Sequence, residues 1–167
     1  WTGATNETQI HHCVIHNANT AAGGSLCMGV YVSDADTIAK IYRNVVYGCD
    51  DANIGQTVST SGCFIIHNTC YETAVGDGIV SKSGDEVEYN AAFESADDDL
   101  TGAGTEDDNA TSDATGDSGA SLASLTATNE FKSATTTWAS TDLTLKRRSN
   151  LVAKSTGSPY SSVTYPE

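Results

Sequence analysis

Large apolar side chains are scarce in this chain. Leu, Ile, Val and Phe together number 29 of the 167 residues, and there is a single Met. This composition leaves too little side-chain volume for a compact helical bundle, and with a net charge of −14 it is also typical of disorder. No apolar run approaches the roughly 20 residues that a membrane-spanning helix needs, so we expect no membrane partner.

Basic residues are also few, with 8 Lys and Arg against 22 Asp and Glu. A protein that binds nucleic acid through its phosphates needs a basic surface, so we expect no nucleic-acid partner. The 5 cysteines form no C-x-x-C pair, which argues against a zinc site. We expect most of them to be small buried core residues, and leave open whether one pair forms a disulfide.

What the sequence does contain is an internal repeat. Four segments end on an asparagine, with spacings of 27, 24 and 22 residues, and a β-branched residue precedes each asparagine by three positions. A second strand-like run recurs about ten to twelve residues later in the first three units. The asparagines are Asn17, Asn44, Asn68 and Asn90, and the β-branched residues are Val14, Ile41, Ile65 and Val87. A period of this length with short β runs predicts a coil of parallel strands.

Stacking of such coils explains the asparagines. Strands of successive coils lie about 4.8 Å apart, so residues at equivalent positions lie directly above one another. A buried Asn at a bend can then hydrogen-bond the amides above and below it. We predict a ladder of Asn17, Asn44, Asn68 and Asn90, with the β-branched column as the interior.

The turn repeats have the form I-x-x-N-x-[V/C] at residues 41–46 and 65–70, and each is followed by a strand that begins near a glycine. In these features residues 8–95 resemble the right-handed parallel β-helix proteins of the pectate-lyase-like class, and residues 131–159 resemble the closing region of such proteins from phages and uncultured microbes. The resemblance implies an all-β solenoid of about four to five coils with an irregular C-terminal segment. It leaves function open, because this fold hosts lyases, hydrolases, adhesins and virion spikes.

We divide the chain into three regions. Residues 1–95 are predicted to form the coils, and residues 121–167 a C-terminal segment that packs along the stack and is truncated. Residues 96–120 form either an acidic loop or a degenerate coil around Asn109. The loop is favoured, because Glu106 would fall where Val or Ile belongs.

Two further columns are candidate contact surfaces. Three residues after the asparagines come Tyr47, Tyr71 and Phe93, which either pack under a covering segment, contact another subunit or bind a glycan. One residue before the asparagines come His16, Arg43, His67 and Tyr89, which mark either an anionic sugar site or ordinary exposed bend residues.

Carboxylates supply the catalytic and metal candidates. Asp34, Asp36 and Asp77 are the candidates for acid and base catalysis, although no predicted column carries two or three carboxylates. Asp97, Asp98 and Asp99 could bind Ca²⁺ through their carboxylates, and a solvated acidic loop is the alternative. We expect no other cofactor.

These features favour a structural or adhesive module of an extracellular assembly, such as a phage or virus-like fibre, spike or surface protein. The expected location is extracellular or on a virion surface, and the expected partners are copies of the chain, other subunits or a glycan. Because no catalytic column is found, we lean towards a role without enzymatic activity. The alternatives are a polysaccharide lyase or glycoside hydrolase fragment that acts on an acidic glycan, and a passive glycan-binding adhesin.

Overall fold

The computed structural model describes residues 6–19, 27–34, 37–57, 62–102, 104–116, 122–135 and 137–146, and these residues are almost entirely β-strands and turns. Asp36 and residues 147–167 lie outside the described residues. In chain order the strands are β1 (Asn6–His11), β2 (Val14–His16), β3 (Met28–Val32), β4 (Thr37–Tyr42), β5 (Val45–Cys49), β6 (Ala52–Gln56), β7 (Phe64–Ile66), β8 (Thr69–Thr73), β9 (Asp77–Val80), β10 (Glu86–Glu88), β11 (Ala91–Phe93), β12 (Leu100–Thr101), β13 (Thr105–Asp107), β14 (Ala110–Thr111), β15 (Phe131–Ser133) and β16 (Asp142–Leu145). A four-residue helix, α1 (Ala127–Glu130), and a 3-10 turn (Trp138–Ser140) complete the described elements.

Fourteen strands form three parallel sheets that the chain visits in rotation. Sheet 1 has the order β1-β4-β7-β10-β13, sheet 2 the order β14-β11-β8-β5-β2, and sheet 3 the order β12-β9-β6-β3. Every third strand therefore pairs with its equivalent in the next turn of the chain, as the sequence repeat predicts. The protein is all-β with stacked parallel sheets, an arrangement compatible with a parallel β-helix.

The interior contains one column of apolar side chains from each sheet. The columns are Ile10–Ile41–Ile65–Val87 in sheet 1, Ile15–Val46–Cys70–Ala92 in sheet 2 and Val30–Ile54–Ile79–Leu100 in sheet 3. Most of these side chains are fully buried in a single cluster. A narrow interior of Val, Ile, Ala and Cys explains how the chain folds with so few large apolar residues, because the backbone groups are satisfied between coils.

Glycine is required where coils approach closely. A Cβ atom on Gly29 would lie 2.4 Å from Val46 Cγ1 and 2.8 Å from the Asn53 carbonyl oxygen. A Cβ atom on Gly76 would overlap the Asp51 carbonyl oxygen. Both residues therefore allow neighbouring coils to pack at the spacing that parallel pairing demands.

The acidic region joins the stack, which corrects the preference for a loop. Strands β12, β13 and β14 pair in register with β9, β10 and β11, so residues 100–111 form a further set of strands. Glu106 does align with Val87. It is tolerated because β13 is the edge strand of sheet 1 among the described residues and leaves Glu106 exposed.

The C-terminal segment packs against the outer face of sheet 2. Leu122, Ala127 and Phe131 are buried there in a second apolar cluster. Strands β15 and β16 then form an antiparallel pair, in which Phe131 is opposite Leu145. Trp138 belongs to the 3-10 turn, and Leu143 and Leu145 lie in β16.

Candidate functional site

The asparagine ladder lies at the bend between sheets 1 and 2. The Nδ2 atom of Asn44 donates to Oδ1 of Asn68 at 3.1 Å, Asn68 donates to Asn90 at 3.0 Å, and Asn90 donates to Oδ1 of Asn109 at 3.0 Å. Each Nδ2 atom also donates to a backbone carbonyl of the preceding coil, and each Oδ1 atom accepts a backbone N–H from it. All four side chains are at most 3% exposed. Their buried amides are therefore hydrogen-bonded within the protein.

Asn17 is not part of this ladder, so the predicted alignment of the first unit is wrong by four residues. Strand β1 pairs with β4 so that His11 is opposite Tyr42, and this register places Cys13 beside Asn44. The backbone N–H of Cys13 donates to Oδ1 of Asn44 at 3.1 Å. Asn17 instead follows β2, and its φ is 54°. In the next coil Gly48 likewise has a positive φ, of 65°.

The same shift changes the column that precedes the asparagines. His16 pairs with Tyr47 and stacks on its ring at a centroid distance of 5.4 Å, so it is not in line with His67. The column consists instead of five residues with φ between 50° and 55°, which are His12, Arg43, His67, Tyr89 and Asp108. This left-handed conformation forms the bend in every coil.

The aromatic column Tyr47, Tyr71 and Phe93 is buried, with exposures of 1%, 5% and 0%. It lies under the C-terminal segment, where the Phe93 ring meets the Phe131 ring edge to face at 5.2 Å. The hydroxyl of Tyr71 donates to the Glu94 carboxylate at 3.0 Å. Of the three alternatives drawn from the sequence, the structure therefore shows packing under a covering segment, and contact with another subunit or a glycan is corrected.

The catalytic candidates do not come together. Asp77 begins β9 and is level with the start of β3, whereas Asp34 follows the end of β3. Five residues of extended strand span roughly 16 Å, which exceeds the distance of about 5 to 9.5 Å between paired catalytic carboxylates in glycosidases. Asp36, the third candidate, lies outside the described residues.

Asp77 instead approaches two of the calcium candidates. One carboxylate oxygen each from Asp77, Asp97 and Asp98 lies within 4.8 Å of the others. Burial raises the pKa of Asp77, the negative charges of Asp97 and Asp98 raise it further, and a hydrogen bond from the Asp98 backbone N–H partly opposes them. Three carboxylates are ligands of the type that a hard cation such as Ca²⁺ takes.

Asp99, the remaining calcium candidate, is 2% exposed and belongs to a different arrangement. Its Oδ2 atom accepts the Ser112 N–H at 2.6 Å and the Ser112 hydroxyl at 2.5 Å. In return, its own N–H donates to the Asp113 carboxylate at 2.8 Å. Asp99 therefore joins the start of β12 to the residues that follow β14, and its oxygens are occupied by protein donors.

Asp85 is a second structural carboxylate and is fully buried. It accepts the Cys63 N–H at 2.9 Å, the Lys82 N–H at 2.7 Å and the Gln56 side-chain amide at 2.6 Å. Sequence reasoning missed this role. Alignment of the repeats could have indicated it, because Asp85 comes directly before β10 at the position that Cys63 has before β7.

The five cysteines are free thiols, of which Cys49, Cys63 and Cys70 are buried. Burial raises the pKa of the Cys70 thiol well above its ordinary value, because the thiolate is desolvated in the apolar interior.

A groove runs beside the bend column. His67, Tyr89 and Asp108 line it together with Ala110, Leu122 and Leu145, and its empty volume, open solvent included, is about 550 Å³. The His67 and Tyr89 rings stack at 5.2 Å with an interplanar angle of 21°. Burial raises the pKa of Tyr89 to about 12, and its hydrogen bond to the Asp108 carboxylate adds to the shift.

Comparisons with protein-family models, with curated proteins and with solved structures find no match to this chain. Among the described residues no helix is long and apolar enough to cross a membrane.

Proposed function

We propose that this chain is a structural module of an extracellular assembly, built as a right-handed parallel β-helix similar to the pectate-lyase-like class. A phage or virus-like fibre, spike or surface protein is the setting that suits it best. The rotation of strands through three parallel sheets and the asparagine ladder support this architecture. Right-handed crossovers between parallel strands are the strong general rule.

The observation that carries the proposal is the difference between the two ends of the stack. At the C-terminal end the chain covers β14, the edge strand of sheet 2, because the N–H of Thr111 donates to the Leu122 carbonyl and the N–H of Leu125 donates to the Thr111 carbonyl, at 2.9 and 2.8 Å. The other edge strand there, β13 of sheet 1, is exposed and places the charged Glu106 in line with the apolar interior column, which opposes pairing with another strand. At the N-terminal end β1, β2 and β3 are edge strands, with no strand beyond them among the described residues. Unpaired strand edges are templates for pairing with another chain.

The side chains at the N-terminal end fit the same role. Ile10 and Ile15 begin two of the interior columns but are only partly buried. Thr8 aligns with the buried Ala39 and is itself exposed. A further coil, supplied by a neighbouring subunit, would bury these side chains and pair their backbone groups, so we place the assembly contact here.

Light scattering of the native chain tests this role. We expect the parent to have a mass above the 17.4 kDa monomer and Thr8→Lys to reduce it to the monomer, because a stacked coil would bury the lysine. Thr105→Lys is a surface control, since Thr105 is exposed in β13 at the opposite end of sheet 1 and aligns with Glu86, not with the column of Thr8 and Ala39, and it should leave the mass unchanged. A parent that is monomeric at all concentrations would contradict the proposal.

A further inference from the structure

The groove beside the bend column combines two kinds of lining. On the stack it is bounded by polar bend residues of three successive coils, and on the C-terminal segment by the side chains of Leu122 and Leu145. Most small-molecule sites have this composition, with apolar walls and a few convergent polar groups. The groove is separate from the N-terminal edge strands and from the acidic residues Asp77, Asp97 and Asp98.

The polar groups are arranged in a row by the backbone. His67, Tyr89 and Asp108 have nearly the same positive φ, of 55°, 55° and 50°, in consecutive coils about 4.8 Å apart. The stacking of the His67 and Tyr89 rings fixes their orientation, and the Tyr89 hydroxyl donates to the Asp108 carboxylate. The row is therefore preorganised, which lowers the entropic cost of binding a ligand.

The chemistry of this row suits hydroxyl groups. Burial and the nearby Arg43 cation lower the pKa of His67, so at neutral pH its imidazole has one donor and one acceptor nitrogen. The Tyr89 hydroxyl donates and accepts, and the Asp108 carboxylate accepts. Ala110 and Leu122 supply apolar surface for the carbon face of a sugar ring.

Charge selects between classes of saccharide. Glu88 and Asp107 add their negative charge to that of Asp108 around Tyr89, and all three raise its pKa. An acidic saccharide would place its carboxylates against these like charges, which is unfavourable. We propose that the groove binds a neutral oligosaccharide through hydroxyl contacts with His67, Tyr89 and Asp108.

This inference goes beyond the assembly role, and the two fail independently, because oligomerisation involves the edge strands β1, β2 and β3, whereas His67, Tyr89 and Asp108 follow β7, β10 and β13. The test is isothermal titration of the full chain with cellohexaose, maltohexaose, mannohexaose and xylohexaose, with hexagalacturonate and hexalysine as charged comparisons. We expect at least one neutral hexasaccharide to bind. We expect Tyr89→Phe and Asp108→Asn each to weaken its affinity by about tenfold, the size expected for loss of one charge-assisted hydrogen bond.

Both variants preserve the bend. Phenylalanine keeps the ring that stacks on His67, and asparagine tolerates the positive φ of Asp108. Tyr31→Phe is the matched control, because Tyr31 is 42% exposed in sheet 3 and its hydroxyl contacts Thr57. It should leave the affinity unchanged. Lack of binding to all four neutral sugars, binding that neither groove variant weakens, or binding to hexalysine or hexagalacturonate alone would overturn the proposal.

Discussion

At the residue scale, the stack depends on a few polar side chains that are buried and fully hydrogen-bonded. The Asn68 amide has four such contacts, in which Oδ1 accepts from the backbone and side chain of Asn44 and Nδ2 donates to Ile41 and Asn90. A carboxamide supplies two donors and two acceptor sites, so this position uses its full capacity. An apolar residue of similar size would leave partners on both neighbouring coils unsatisfied.

We therefore expect Asn68→Leu to lower the free energy of unfolding by about 1–3 kcal/mol, the cost of leaving buried polar groups unpaired. Chemical denaturation measures this change. Asn129→Leu is the control, because Asn129 is exposed in α1 and should change stability little. Equal stability of the Asn68→Leu variant and the parent would contradict the importance of the ladder.

The ladder also shows how much of the structure the sequence could predict. Asn44, Asn68 and Asn90 were identifiable from their spacing with Ile41, Ile65 and Val87. Asn17 was misleading because the segment before it resembles the one before Asn68, although the correct guide to the first coil was the apolar pair that follows both Cys13 and Asn44. That pair is Val14 and Ile15 after Cys13, and Val45 and Val46 after Asn44.

At the element scale, the covering segment is what distinguishes sheet 2 from the other sheets. The contact between its Phe131 ring and the Phe93 ring of sheet 2 makes the aromatic column, which could have been a binding surface, part of a second apolar core. The sequence left this point open, since alternation within a strand does not show which face a distant segment will cover. Only the long-range packing of residues 122–131 decides it.

We expect a double-mutant cycle between Phe93→Leu and Phe131→Leu to give a coupling energy of about 0.5–1.5 kcal/mol, because the edge-to-face ring contact is lost in either variant. Urea denaturation of the four proteins measures it. The control cycle pairs Phe93→Leu with Phe64→Leu, whose residue lies in sheet 1, and should be additive. Additivity of the Phe93 and Phe131 changes would show that the segment does not pack as described.

At the scale of the whole molecule, acidic residues fall into groups with opposite effects on stability. The bond between Asp99 and Asp113 joins the start of β12 to the residues that follow β14, and hydrogen bonds from Asp99 and Thr115 outweigh burial to lower the pKa of Asp113. Burial and the acidic neighbours of Asp77 destabilise its ionised carboxylate, so its pKa is raised. Composition reveals the net charge of −14 but not this division, because it depends on which carboxylates face backbone N–H groups.

The raised pKa of Asp77 has a predictable effect on pH dependence. The folded state favours the protonated form, so the stability associated with this group is fully present below its unfolded pKa and is lost as the pH rises through its folded pKa. Asp77→Asn should therefore raise the Tm at pH 7 by about 1–3 °C, the size expected for relief of repulsion between partly exposed charges. The gain should disappear near pH 3.

Asp142→Asn is a control with the opposite sign. Hydrogen bonds from the Thr144 side chain and backbone lower the pKa of Asp142, so its contribution is present at neutral pH and is lost on acidification. Thermal melts between pH 3 and 7 compare the two variants. An Asp77→Asn variant that is less stable than the parent at pH 7 would contradict the repulsion among Asp77, Asp97 and Asp98.

The register of the coils is the central claim, and nuclear Overhauser contacts between side-chain amides test it most directly. In an amide-resolved spectrum of the folded chain we predict contacts that join Asn44 to Asn68, Asn68 to Asn90 and Asn90 to Asn109, with the backbone N–H of Cys13 beside Asn44. Contacts that join Asn17 to Asn44, or the absence of contacts between successive asparagines, would contradict the register.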